Sequence, residues 1–183
     1  GLMSEQKWPL PGFDHQMLGL DQQIEWVVHE IQKEDPFKID MVVLPEVAFS
    51  EDVYECVLPL QSALKILAIP LKNCSPLRKG LARKYKDQWY VSCAWVCHTL
   101  SNYYQFDILA GLSDYDVDNR ISQNALFLFK KGAIQANRHI KRALIPLTEY
   151  LPFAWLTKCM KTFGIEEFYE AGVKDTLFEA SKV

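Results

Sequence analysis

Ile39-Asp40-Met41-Val42-Val43-Leu44-Pro45-Glu46 is the stretch that decides the fold. A short apolar run with two adjacent valines stops abruptly at a proline, which reads as a central strand buried on both faces. Upstream, Ile24, Val27, Val28 and Ile31 recur at i, i+3, i+4 and i+7, one face of a helix. Asp21 can cap that helix, and Lys33-Glu34-Asp35-Pro36 ends it, because proline disfavours helical geometry in the residue before it. A helix leading into a continuously apolar strand argues for an α/β layer architecture.

Downstream, residues 51–71 carry a noisy helical pattern. Residues 72–88 hold Lys72, Arg78, Lys79, Arg83, Lys84 and Lys86, with no acid before Asp87. This run fits a solvated helix face; it also fits a surface that meets anionic head groups, where each cation is worth up to ~1 kcal/mol. Strands are expected at 89–96, 106–112 and 124–129, with an Asp-rich surface loop over 113–119. Lys130-Lys131-Gly132 reads as a hairpin turn, and 133–137 as its returning strand. Residues 1–20, with Trp8 and Phe13 among Pro and Gly, read as an irregular entry segment.

The composition suits one globular domain: 183 residues, 49% apolar and 23% charged. It excludes a disordered tail, a collagen-like fibre and a coiled coil. A net charge of −3 and a pI near 5.8 give no overall field that draws nucleic acid. No window reaches the ~18–20 apolar residues of a membrane span. The N-terminus has neither the basic nor the apolar region of a signal peptide. Five cysteines at irregular spacing do not make a disulfide framework. Cys93 and Cys97 beside His98 have three residues between them and no second ligand pair downstream, which argues against zinc or haem attachment. The reading there is a buried strand with cysteine as a small hydrophobe.

Two segments carry chemistry. In Val42-Val43-Leu44-Pro45-Glu46-Val47-Ala48-Phe49, Glu46 sits just past a strand, where open α/β sheets gather functional groups. Walled by Leu44, Pro45, Val47 and Phe49, its carboxylate would be desolvated, which strengthens a general base. The alternative is an ordinary acid at a helix N-terminus. The second segment is Arg138-His139-Ile140-Lys141-Arg142-Ala143-Leu144-Ile145-Pro146-Leu147-Thr148-Glu149-Tyr150-Leu151-Pro152-Phe153. A lysine beside two carboxylates can donate to a developing oxyanion while staying charged; otherwise Lys141 and Glu149 form a surface ion pair.

A strand ending Leu-Pro-Glu, followed by a β-hairpin that leads to Lys-x-x-Leu-Ile-Pro-x-x-Glu-Tyr-x-Pro, resembles the nitrilase (carbon–nitrogen hydrolase) superfamily. The segment Lys141–Phe153 and the lysine–tryptophan pair at Lys7-Trp8 are most similar to its apolipoprotein N-acyltransferase family. The resemblance follows the element order over nearly the whole chain, and is specific in residues 39–49, 123–153 and, weakly, 5–8. It implies an α-β-β-α sandwich, here a single partial domain over 1–183 that lacks the first strand and the C-terminal part. It implies a Glu–Lys–Cys triad in which Glu46 is the general base and Lys141 stabilises the tetrahedral intermediate. Glu149 matches the second glutamate near the active site, Trp8 a tryptophan of the substrate-facing entry loop, and Tyr150 falls with Phe49, Leu151, Phe153 and Trp155 as lining for an acyl chain or as core.

The implied reaction is ping-pong acyl transfer, from a phospholipid donor through a cysteine thioester to the amine of a lipoprotein's N-terminal cysteine. No cofactor, metal or nucleic acid is implied. The implied location is the extracytoplasmic (periplasmic) side of a bacterial inner membrane, held there by flanking membrane segments. Three departures stand out. Thr148 replaces the family's glycine, His139 replaces its tyrosine, and no cysteine occurs in the expected Cys-Tyr-Glu context, which would begin where the chain ends. Cys159 lies in a basic, helix-like stretch and Cys56 in an expected helix, so neither fits the nucleophile. The chain on its own is therefore expected to be inactive. Competing readings are a soluble amidase or nitrilase of the same superfamily, and a non-catalytic binding domain on this fold.

Overall fold

A computed structural model describes residues 18–116, 121–146, 149–150 and 169–181. Among them are three α-helices and two open sheets, of four and three strands, in a mixed α/β arrangement. Helix α1 (Leu20–Lys33) starts at Gly19, whose N–H donates to the Gln22 side chain at 3.0 Å; Asp21 lies in the first turn rather than at the cap. Its inward face is Ile24, Val27, Val28 and Ile31, as the spacing predicts.

Strand β1 (Met41–Leu44) runs parallel to β5 (Asp107–Asp116), with Met41 opposite Asp107 and Leu44 opposite Ala110. β5 pairs antiparallel with β6 (Ile121–Phe129), and β6 with β7 (Asn137–Ile140), giving the order β1-β5-β6-β7. The expectation of a central strand is corrected here: among the described residues β1 is an edge strand with one neighbour. Val42 and Leu44 pack on the core, while Val43 stays 67% exposed. An apolar run signals a strand, but it does not tell how many neighbours the strand has.

The second sheet has the order β2-β4-β3 and is antiparallel throughout. Its strands are β2 (Leu58–Pro59), β3 (Ala82–Tyr85) and β4 (Gln88–Val91). Helix α2 (Leu60–Leu67) follows β2, so the expected helix over 51–71 shrinks to eight residues, and Cys56 lies outside it. The basic run forms no α-helix either: it opens in a single 3-10 turn at Leu71–Asn73 and ends in a hairpin whose turn is Lys86-Asp87, with Lys86 at φ 53°.

The strand expected over 89–96 stops at Val91, and helix α3 (Cys93–Tyr104) takes over. Ser92 caps it, accepting from Trp95 N–H at 3.3 Å while its own hydroxyl donates to the Leu81 carbonyl at 3.1 Å. Ten of its residues are buried, around nearly its whole circumference. Such a helix has no polar stripe, so its sequence lacks the 3.6-residue period that identifies helices. The indole N–H of Trp95 is satisfied by the Ser75 carbonyl at 2.9 Å. Cys93 and Cys97 are buried, as expected for small hydrophobes, though on a helix. β5 runs on to Asp116 through part of the expected loop, and the return strand is Asn137–Ile140 rather than 133–137.

Candidate functional site

Glu46 lies in the turn that leaves β1 over the carboxyl end of the sheet. Three features seat that turn. The Ala48 N–H donates to the Gly111 carbonyl at 2.8 Å, and the Val53 N–H to Ser113 at 2.8 Å. Gln23 of α1 accepts from Ser50 N–H at 2.9 Å and donates to the Leu18 carbonyl at 3.0 Å, tying helix to loop. Gly111 allows close approach: a Cβ there would lie 2.7 Å from Glu46 Cα and 3.0 Å from the Pro45 oxygen. Val47, next to Glu46, has φ 51°, a left-handed conformation that a β-branched residue rarely adopts.

Lys141 leaves β7 with its N–H on the Asn124 carbonyl at 2.8 Å, and its own carbonyl accepts from Gly172 N–H at 3.0 Å. A Cβ on Gly172 would meet the Ile140 oxygen at 2.5 Å, so glycine lets the segment 169–181 lie against this turn. Glu149 is held by backbone on both sides: its N–H donates to Ile145 at 2.9 Å and its carbonyl accepts from Tyr169 at 2.9 Å.

These side chains meet. Lys141 Nζ donates to Glu46 Oε1 at 2.7 Å and to Glu149 Oε1 at 2.9 Å, across 95 and 8 residues of sequence. Asn124 Nδ2 donates to both carboxylates as well, at 2.5 Å to Glu46 and 3.1 Å to Glu149. The other oxygen of Glu149 accepts from Ile145 N–H at 2.7 Å. Burial opposes charge on Glu149, but the Ile145 N–H, Lys141 and Asn124 outweigh it and hold its carboxyl below the ordinary glutamate value. Burial likewise opposes the Lys141 ammonium, but the hydrogen bonds and charges of Glu46 and Glu149 hold it above the ordinary lysine value. Both groups stay ionised at neutral pH.

The expectation for Glu46 is corrected in one respect. Its side chain is 53% exposed, because Phe49 turns wholly into the core and Val47 is only half-buried, so the apolar wall does not close around the carboxylate. Among the described residues its Oε2 accepts no hydrogen bond and stands open to a proton. Lys141 has three N–H donors, two of them on carboxylates; among the described residues the third has no acceptor and can meet an oxyanion.

Glu46, Lys141 and Glu149 are thus brought together, while Tyr150 lies beside them, half-buried, its N–H 3.4 Å from the Ile145 carbonyl. Trp8, Thr148, Leu151, Phe153, Trp155 and Cys159 fall outside the described residues. The structure adds Asn124, Gln23, Gly111 and Gly172, none of which the sequence singled out. The signals were faint: a polar residue in an apolar strand, and two glycines away from any predicted turn.

A cleft of about 790 Å³ opens beside Val47, lined in part by Glu51, Tyr54, Glu55, Asp114, Tyr115 and Tyr169. Four carboxylates, from Glu51, Asp52, Glu55 and Asp114, stand among aromatic and aliphatic lining. None of the described thiols is activated. Burial pushes Cys97 up to about 12 and raises Cys93, Cys56 and Cys74 as well, the wrong direction for a nucleophile. Among the described residues no three His, Cys, Asp or Glu side chains gather to hold a metal ion, and no helix is long and apolar enough to cross a membrane. No protein-family model matches the sequence, and no curated protein is detectably similar to it.

Proposed function

We propose that Glu46, Lys141 and Glu149, with Asn124, form the base and oxyanion part of a nitrilase-type acyl-transfer site on a partial α-β-β-α sandwich. The carrying observation is the contact between Glu46 and Lys141 at 2.7 Å, made by residues 95 positions apart. A turn that stores unfavourable backbone geometry at Val47, and a glycine reserved for Glu46, support the same reading.

The reaction follows from these groups and from the family resemblance. Glu46 takes the proton of a cysteine thiol supplied from beyond residues 1–183. The thiolate attacks the ester carbonyl of a phospholipid, and the oxyanion that forms is met by the third N–H of Lys141. Collapse expels the lysophospholipid alkoxide, which takes the proton back from Glu46, and leaves a thioester. The α-amino group of a lipoprotein's N-terminal cysteine then attacks the thioester, and Glu46 takes its proton. Cleavage of the C–S bond expels the thiolate, which receives that proton from Glu46 and leaves as the thiol while the amide forms. Glu149, kept ionised, holds Lys141 charged and aimed.

The test is acyl transfer by the protein carrying the sequence its gene encodes on both sides of residues 1–183, with phospholipid donor and a lipid-modified cysteine peptide as acceptor. Glu46→Gln and Lys141→Met should each lower transfer by about a thousandfold or more. Residues 1–183 alone should give no acyl adduct by mass spectrometry. An adduct on Cys56, Cys74, Cys93, Cys97 or Cys159 would overturn the placement of the nucleophile. Amide hydrolysis without transfer would favour the soluble amidase, and binding without turnover the non-catalytic domain.

A further inference from the structure

The charge of this chain is unevenly spread. Net −3 overall, it holds six cations and one acid between Lys72 and Gln88. Lys72, Lys79, Arg83, Lys84 and Lys86 are all exposed, and none makes an ion pair among the described residues. Three of them project from the β3–β4 hairpin or its turn, where Arg83 stands opposite Tyr90 and Lys84 opposite Trp89. At the tip, Tyr85 is 57% exposed, with Lys86 Nζ 5.5 Å from its ring centre.

We infer that the β3–β4 hairpin docks the domain on an anionic lipid surface. Cations clustered on one hairpin, with no ion-pair partner among the described residues, repel one another, and a field of negative charge relieves that repulsion. The exposed aromatic at the tip selects a bilayer among polyanions. A tyrosine ring sits favourably at head-group depth, with its body in the apolar boundary and its hydroxyl in water, while flanking lysines meet phosphates above it. A hairpin tip suffices for a flat surface. The acidic remainder of the chain opposes wrapping by nucleic acid. Docking needs neither a thioester nor Glu46, so this inference stands or falls apart from the acyl-transfer reading.

The experiment is co-sedimentation of the 183-residue chain with vesicles of equal parts phosphatidylglycerol and phosphatidylcholine, against pure phosphatidylcholine, over a salt series. Binding is expected to the anionic vesicles only, and to fall as salt rises. The combined variant Arg83→Gln, Lys84→Gln, Lys86→Gln should lower partitioning about a hundredfold, at about fivefold for each cation. Neutralising Lys130 and Lys131 on the other sheet's hairpin should leave it within about twofold, a comparison that corrects for bulk charge. Circular dichroism establishes that each variant is folded. Tyr85→Ala should weaken vesicle binding and leave any binding to duplex DNA unchanged. Unaltered vesicle binding by the combined variant would overturn the inference. So would binding to DNA as tight as to vesicles with no effect of Tyr85→Ala, which marks a general polyanion patch.

Discussion

Asn124 does at the residue scale what no motif announces. It is buried on β6, and its amide donates to two carboxylates that would otherwise repel each other across Lys141. Asn124→Ala leaves both with one donor fewer and should cost about 1–3 kcal/mol of stability in urea unfolding at pH 7. Asn124→Asp is the sharper probe, because it keeps the shape and puts a third carboxylate on one ammonium. At pH 7 it should destabilise more than alanine does. As the pH falls from 7 toward 5 its gap to the parent should narrow, since a carboxyl among like charges binds a proton early. A gap that stays constant over that range would mean that Asn124 does not face both glutamates in solution.

At the scale of elements, β5 and the turn carrying Glu46 are a matched pair. Replacing Gly111 by alanine puts a methyl 2.7 Å from backbone that is pinned by Ala48 and Ser50, so neither side yields readily. The expected loss is about 2–3 kcal/mol in equilibrium unfolding, from crowding alone, since Gly111 does not sit in the left-handed region. The elements also show where sequence reading works. α1 was legible because one face is apolar and the other polar, and the β5–β6 strands because their apolar residues are dense and turn-bounded. α3 was not, since burial around its whole circumference erases the period, and β3 was not, since exposed charges carry no strand signal. In the site, Glu46, Lys141 and Glu149 were legible because their chemistry is local to short motifs. Asn124, Gln23, Gly111 and Gly172 act through contacts made only once distant segments meet.

For the whole molecule, the buried acids set the acid limb of the response to pH. Asp107, at the start of β5, is 1% exposed and accepts from Lys131 N–H at 3.0 Å, Ser181 N–H at 2.6 Å and the Ser181 hydroxyl at 2.8 Å. Burial opposes its charge, but these donors outweigh it and hold its carboxyl below the ordinary aspartate value, as the Ile145 N–H, Lys141 and Asn124 do for Glu149. A carboxyl whose folded pKa lies below its unfolded one stabilises the fold fully above the unfolded value, and that stabilisation is lost as pH falls through the folded one. Lys141 has the opposite sense: its raised value gives stability that is complete below the ordinary lysine pKa and disappears only in strong alkali. The carboxyls should therefore leave the urea midpoint flat through neutral pH and lower it below about pH 4, where ordinary carboxyls begin to bind protons. His98, pushed down to about 4 by burial, adds a shallower decline that begins below about pH 6.5. Asp107→Asn should lower the midpoint at pH 7 and flatten this acid limb, because the unfolded variant no longer takes up the extra proton. Ser181→Ala removes one donor and should flatten it less. An acid limb as steep in Asp107→Asn as in the parent would show that Ser181 does not close over Asp107 at the start of β5 in solution.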